Sequence, residues 1–220
     1  MSKKIYLSPS SQPENLYSYG NTNEQEQCRK IATACAIALK RCGFSVKNGN
    51  SGTMYTRVAE SNSWGADLHV PIHTNAANKK TTGTRCFAYS TRGDGYRAAK
   101  AIFDVLAPIT PGQSESVTAS PSLYEIKNTK APCAYVECEF HDVASTSKWI
   151  IENTMTIGEA IAKGICNYYG VAYIEEKKAE ETSTATLYLV QAGAFSNKKN
   201  AEALVSKLKA AGFSAIIKTR

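Results

Sequence analysis

The chain has no apolar run near the ~20 residues that a membrane-spanning helix needs, which excludes a helical membrane protein. Its opening residues, MSKKIYLSPSS, lack the apolar core of an export signal and pass straight into a strand pattern. The expectation is therefore synthesis in a host cytoplasm without a signal peptide. Histidine is scarce: His69, His73 and His141 are the whole supply. No Cys-x-x-Cys pair occurs among the seven cysteines. Cys28, Cys35 and Cys42 instead fall seven apart within one helical pattern, where they read as small core hydrophobes. Free, buried thiols suit a protein that folds in a reducing compartment.

What is present points to a soluble α/β protein. Hydrophobic residues make up 43% and charged residues 20% of 220, enough for one sizeable core plus a small module. The organising stretch is Ala131 to Asp142, APCAYVECEFHD. Pro132 sits where a strand begins and a missing N–H is tolerated. Ala134, Tyr135 and Val136 follow as an apolar run, as in a strand covered on both faces. Glu137 and Glu139 then stand two apart, a spacing that aims both at one face. A carboxylate at the end of a central strand needs a partner to offset its desolvation. The matching partner lies in Ala66 to Ala76, ADLHVPIHTNA, a second apolar strand that ends in His73, Thr74 and Asn75. Two such strands releasing titratable groups at one sheet edge make a site, because ligands of open α/β sheets bind outside the carboxyl ends of the strands.

The rest of the first 173 residues alternates strand and helix, which predicts a twisted, mostly parallel sheet with helices on both faces. Strands are expected at Lys4–Ser8, Phe44–Lys47, Gly83–Ser90 and Leu123–Lys127. Helices are expected at Glu24–Cys42, Met54–Trp64, Asp94–Leu106 and from Trp149 to Ile165. Asn23 is the expected N-cap of the first helix, with Glu24 in its first turn. Residues 107–121, rich in Pro, Ser, Thr and Gly, read as a mobile loop near the site. His69, four residues before His73 on one strand, lies ~13 Å from it at ~3.3 Å per residue and reads as a packing histidine.

The IHTNA run, the KNTKAPCAYVECEF run and the helix after it resemble the zinc-dependent N-acetylmuramoyl-L-alanine amidases of bacterial cell walls and phage lysins, over roughly residues 3 to 170. The resemblance implies hydrolysis of the amide between N-acetylmuramic acid and L-alanine. It makes Glu137 the catalytic base, places Zn2+ on Glu24 and His73, and gives Asn75 and Glu139 to substrate or supporting contacts. Arg57 and Asn62 resemble the family's Arg and Ala-Asn positions. One feature departs from the pattern. The family's first strand ends in Asp-Pro-Gly-His-Gly-Gly, whose His binds zinc, and here the aligned run is Ser8-Pro-Ser-Ser-Gln-Pro13. Ser11 and Gln12, in that slot, are poor zinc ligands. His141 is the expected substitute third ligand, with substrate binding as its alternative role. The gap keeps two other functions open: a non-catalytic peptidoglycan-binding protein on an amidase scaffold, and a zinc peptidase acting on wall peptides. Within the amidase reading, a phage or prophage endolysin released to the wall at lysis is the expected type.

Residues 174–185, IEEKKAEETSTA, have linker composition. Residues 186–220 then read strand (Leu187–Gln191), helix (Asn200–Ala211, with Ala201, Leu204 and Leu208 on one face) and strand (Phe213–Lys218), a small βαβ module. This stretch resembles the first half of a SPOR domain, a module that binds septal peptidoglycan. It holds six cations against Glu202 and so most of the net charge of +7. Such a tail favours an anionic surface; with few aromatics, it suits a cell wall over nucleic acid. About 35 residues hold too little core to stand alone. The expectation is a homodimer in which two chains pool their halves into one sheet.

Overall fold

The computed structural model describes residues 2–115, 117–176, 191–213 and 215–217. The chain divides into two compact units, Met1–Glu176 and Lys177–Arg220. The first unit is built on a six-stranded sheet. Its elements in chain order are β1 (Lys4–Pro9), α1 (Glu24–Arg41), β2 (Ser45–Asn48), α2 (Met54–Trp64), β3 (Leu68–Asn75), β4 (Arg85–Ala88), α3 (Gly93–Leu106), β5 (Thr118–Ala119), α4 (Tyr124–Asn128), β6 (Tyr135–Phe140), α5 (Ala144–Glu152) and α6 (Thr154–Tyr169). The strand order is β2-β1-β3-β6-β4-β5. β1, β2, β3 and β6 pair in parallel, and β4 runs antiparallel to β6. The expected architecture is therefore present, and β3 and β6 lie side by side at its centre.

The central strands alternate between two chemistries. Ile5, Leu7, Leu68, Val70, Ile72, Ala134, Val136 and Cys138 enter one large core with α1, α3 and α6. Each fully buried Ile or Leu there contributes about 1.5–3 kcal/mol. Helix α1 supplies Cys28, Ile31, Cys35 and Leu39 to that core at helical spacing, and Asn23 caps its start by accepting from Glu26 N at 2.9 Å. The intervening residues, Tyr6, Ser8, His69, His73, Tyr135 and Glu137, belong to the opposite face. There Glu60 of α2 accepts from the Tyr6 hydroxyl, Ser61 of α2 meets His69, and Glu125 of α4 meets Ser8. Tyr135 thus packs with Ile126 and Cys133 in a small second cluster rather than in the main core.

Two expectations are corrected. Leu123–Lys127 is not a strand: Tyr124–Asn128 is one helical turn and a half, closed by Thr129 N donating to Glu125 O at 3.3 Å. The reason is burial. Glu125 and Ile126 are both buried, and a strand would send these neighbours to opposite faces. Residues 107–121 border the sheet edge, where β5 pairs with β4, and not His73. They are fastened to β4 by Arg85 donating to Gln113 O at 3.1 Å and by Thr84 N donating to Ser114 Oγ at 3.0 Å. Gly83, at φ +98°, passes so close that a Cβ would lie 2.4 Å from the Gln113 backbone.

All seven cysteines are buried and unpaired. Ile174 at the start of the charged stretch is still held by the first unit, through Arg41 Nε on its carbonyl at 2.7 Å. The rest of the expected linker, from 177, lies outside the described residues, as does the strand at Leu187–Gln191 apart from Gln191. In the second unit α7 (Lys198–Ala210) forms as expected, capped by Asn197 accepting from Lys199 N at 2.9 Å. No residue of α7 is buried, but Ala201, Leu204 and Leu208 are among its less exposed positions. The strand expected over Phe213–Lys218 is absent at the described residues 213 and 215–217.

Candidate active site

His73 is the hub. It lies opposite Glu137 in the β3–β6 register, its ring stacks on Tyr135 at 4.8 Å, and both of its nitrogens face carboxylates. On one edge Nδ1 meets Glu24 Oε1 at 2.8 Å. On the other, Nε2 faces Glu125 Oε2 at 4.0 Å. Glu24 reaches it because it opens α1 against the end of β3, where Thr74 N also donates to Oε1 at 3.3 Å. Asn15 Nδ2 holds the other oxygen at 2.6 Å.

Glu125 was not legible as a site residue. It is buried, and its Oε1 accepts from Ser8 Oγ at 2.5 Å and meets His69 Nε2 at 3.3 Å. His69 is the packing histidine expected, stacked on Tyr6 at 5.2 Å with Nδ1 on Ser61 Oγ at 2.9 Å. It is also the group that fixes Glu125. Asn62 secures α4 from below, donating to Asn128 O at 3.0 Å and accepting from Lys130 N at 2.7 Å. Arg57 is buried, donates to Pro9 O, and feels the charge of Glu125.

The electrostatics separate the three carboxylates. Burial alone would raise Glu24, but its hydrogen bonds with His73, Asn15 and Ser10 and the His73 charge hold it below its ordinary range. Burial likewise acts against Glu125, and His69, Ser8 and His73 outweigh it, so it too is held low. Burial would depress His73; the Glu24 hydrogen bond and the charges of Glu137, Glu24 and Glu125 raise it instead. Glu137 alone goes up, to about 8, because desolvation exceeds the help from His73 and Glu24 opposes ionisation. Its Oε2 is buried and has no hydrogen-bond partner. A carboxyl poised near neutrality, next to a His–carboxylate pair, has the character of a general base.

The remaining expected residues lie apart from this cluster. His141 is buried, stacked on Tyr17 at 5.1 Å, with Nδ1 on Thr74 Oγ1 at 3.0 Å and Thr74 O at 2.9 Å. Both contacts fix it to the strand residue after His73, so it does not join Glu24 and His73 as the expected third ligand. The β3–β6 register slips by one residue between His73 and Asn75, and this bulge breaks the alternation that was to align Glu139 with Glu137. Glu139 is fully buried, its Oε1 taken by Gly83 N at 2.5 Å and Phe140 N at 2.8 Å. Asn75 ends β3 with Oδ1 on Ala76 N at 2.8 Å, close to the site's rim in sequence but not bonded to its carboxylates. Among the described residues, no three His, Cys, Asp or Glu side chains converge with metal-ligand spacing.

Comparison with known proteins places this fold. Residues 12–167 match the family model for N-acetylmuramoyl-L-alanine amidase, and residues 184–220 match the SPOR domain. The chain belongs to this amidase family. It is 24% identical to the sporulation-specific N-acetylmuramoyl-L-alanine amidase of Bacillus subtilis (strain 168), over 97% of this chain and 84% of that protein. In fold it resembles the catalytic domain of CwlV, an N-acetylmuramoyl-L-alanine amidase of Bacillus (Paenibacillus) polymyxa var. colistinus. That likeness has a TM-score of 0.67 at 17% identity, covering 78% of this chain and all of that one. It also resembles the catalytic domain of the CD27L endolysin targeting Clostridia difficile, with a TM-score of 0.61 at 20% identity, covering 76% and 97%.

Proposed function

We propose that the chain hydrolyses the amide between N-acetylmuramic acid and L-alanine in peptidoglycan, with zinc bound at His73 and Glu24. The observation that carries this reading is the meeting of His73 Nδ1 and Glu24 Oε1 at 2.8 Å next to Glu137, whose buried Oε2 has no partner. One imidazole nitrogen and one carboxylate are donors of the kind zinc takes, but a catalytic zinc takes three protein ligands, and among the described residues no third His, Cys, Asp or Glu joins this pair. A zinc ion, when bound, supplies Lewis acidity towards the scissile carbonyl. Glu137 takes the proton of the attacking water and returns it to the leaving amine. Tyr135 backs the His73 ring and limits its rotation. Asn75, at the end of β3, is read as a substrate contact.

The second unit is read as the wall-binding part, in keeping with its SPOR match. Phe195, Phe213, Ile216 and Ile217 are exposed on it, which supports pairing with a second copy that covers them. A monomeric mass in light scattering at micromolar concentration would remove that reading. The likeness to an endolysin catalytic domain supports the phage or prophage type. Lysis of a host expressing the chain only when its membrane is permeabilised is the expected behaviour of that type.

The deciding experiment is elemental analysis of the purified chain, with release of new L-alanine amino termini from cell walls followed before and after chelation. About one zinc per chain, with activity lost on chelation and restored by zinc, is expected. No zinc and no hydrolysis at any zinc concentration would leave a wall-binding protein on an amidase scaffold.

A further inference from the structure

We infer that a cavity between the start of α3 and the turn after α4 binds the phosphate ester of a sugar or polyol. The cavity measures about 590 Å³, within the roughly 300–1,000 Å³ of small-ligand sites. Its lining carries three cations, Arg92, Lys127 and Lys130, together with Tyr89, Tyr96 and Cys133. It is separate from the His73 site. Cys133 pairs with His69, four residues before His73, so this part of the cavity lies roughly 13 Å along the strands from His73 at ~3.3 Å per residue.

Charge selects the ligand. Among the described residues, Arg92, Lys127 and Lys130 form no ion pair. Asp94, the one carboxylate in the lining, is already paired with Arg97 in the next turn. Three cations exceed the single charge of a carboxylate, and they match the three acceptor oxygens of a phosphate monoester. A guanidinium offers phosphate a planar fork of donors, and an ammonium adds a point charge beside it. The tyrosines select what the phosphate is attached to. Tyr89 is 61% exposed, so its ring face and hydroxyl are open to a hydroxyl-bearing group.

The walls are anchored while the cationic side chains reach solvent. Gly95 passes so close to the entry of β6 that a Cβ would lie 2.8 Å from Cys133 O. Lys130 N donates to Asn62 Oδ1 at 2.7 Å, and Ser90 Oγ donates to Arg92 O at 2.9 Å. Arg92, Lys127 and Lys130 themselves are exposed.

The test titrates the 15N-labelled full chain with glycerol 3-phosphate and follows its amide signals by NMR. Saturable shifts are expected at Gly95, Tyr96 and Lys130, with none at Thr74 and Asn75. Lys130→Glu should weaken binding about tenfold or more. Lys40→Glu makes the same charge change at an exposed lysine of α1 outside the cavity and should leave affinity unchanged. Arg92→Ala, at an exposed position, carries the test if Lys130→Glu folds poorly. A second arm measures sedimentation with cell walls before and after hydrofluoric acid strips their phosphate esters. Binding lost on stripping, and lost equally by Lys130→Glu on untreated walls, assigns the ligand to a wall polymer. Unchanged wall binding with saturable glycerol 3-phosphate binding assigns it to a free phosphate ester. Either result upholds the site. Failure of both arms overturns it, and so does equal weakening by Lys40→Glu, which would show a charge effect of the whole surface. Release of L-alanine amino termini tests the amidase reading separately, and neither outcome there decides this site.

Discussion

Glu137→Gln should make the metal-free protein more stable, and by an amount that grows with pH. The folded chain raises the Glu137 carboxyl from its ordinary 4.5 to about 8. Between those values the folded state binds a proton that the unfolded state has released, so stability falls as pH rises and levels off above about 8. At ~1.4 kcal/mol per unit the full cost of ionising the wild-type residue is of order 5 kcal/mol, before relaxation reduces it. Glutamine keeps the size and removes the charge. Between about pH 6 and about pH 7.5 the gap between variant and wild type should widen by roughly 2 kcal/mol. With a urea slope of about 2 kcal/mol/M, that is a midpoint difference growing by ~1 M. The assay is urea unfolding in chelator, followed by tryptophan fluorescence. Trp64 and Trp149 both lie in the Met1–Glu176 unit, so the signal reports that unit alone. Comparing the two proteins cancels titrations they share and isolates Glu137 with its neighbours His73 and Glu24. Curves that run parallel over this range would show that Glu137 is ionised and satisfied, and the general-base argument would lose its physical basis.

Further outcomes are expected from the same geometry. Glu137→Gln should lower wall hydrolysis about 10²–10⁴-fold while leaving wall binding unchanged in a pull-down with insoluble peptidoglycan. Zinc uptake should release protons and weaken as pH falls, because His73 in the metal-free protein is held protonated above its ordinary range; calorimetry in buffers of different ionisation enthalpy checks this. Gly158→Ala should cost about 1–3 kcal/mol in urea unfolding, since a Cβ there would meet Ala34 Cβ and Ile31 O at 2.6 Å where α6 crosses α1. Asn62→Ala should cost about 0.5–1.5 kcal/mol in urea unfolding, because it removes the side-chain bonds that tie the end of α4 to α2; unchanged stability would show that α4 is held without it.

The readable parts of the sequence were local. The start of α1 was legible because an N-cap acts within one turn, and Asn23 bonds Glu26 N as that pattern requires. The pairing of His73 with Glu137 was legible because both end apolar strands, and the register sets them opposite each other. Glu125 was hidden because its partners His69 and Ser8 are 56 and 117 residues away. LYEIK, five residues long, also has no length to reveal a helical period. Glu139 was misplaced because extending a strand's alternation past Glu137 ignores a bulge, and no residue type there announces it.

The two-faced sheet sets what random mutagenesis would find. Along β3 and β6, odd and even positions answer to different demands. Changes at Val70, Ile72, Val136 or Cys138 strike the packed side and should lower the amount of intact protein in the cell. Changes at His73 or Glu137 strike the other side and should yield abundant, inert protein. A library scored separately for abundance and for lysis would show two interleaved combs, each with a period of two and out of phase by one residue. The combs should fall out of step after Glu137, where the strand takes on its extra residue.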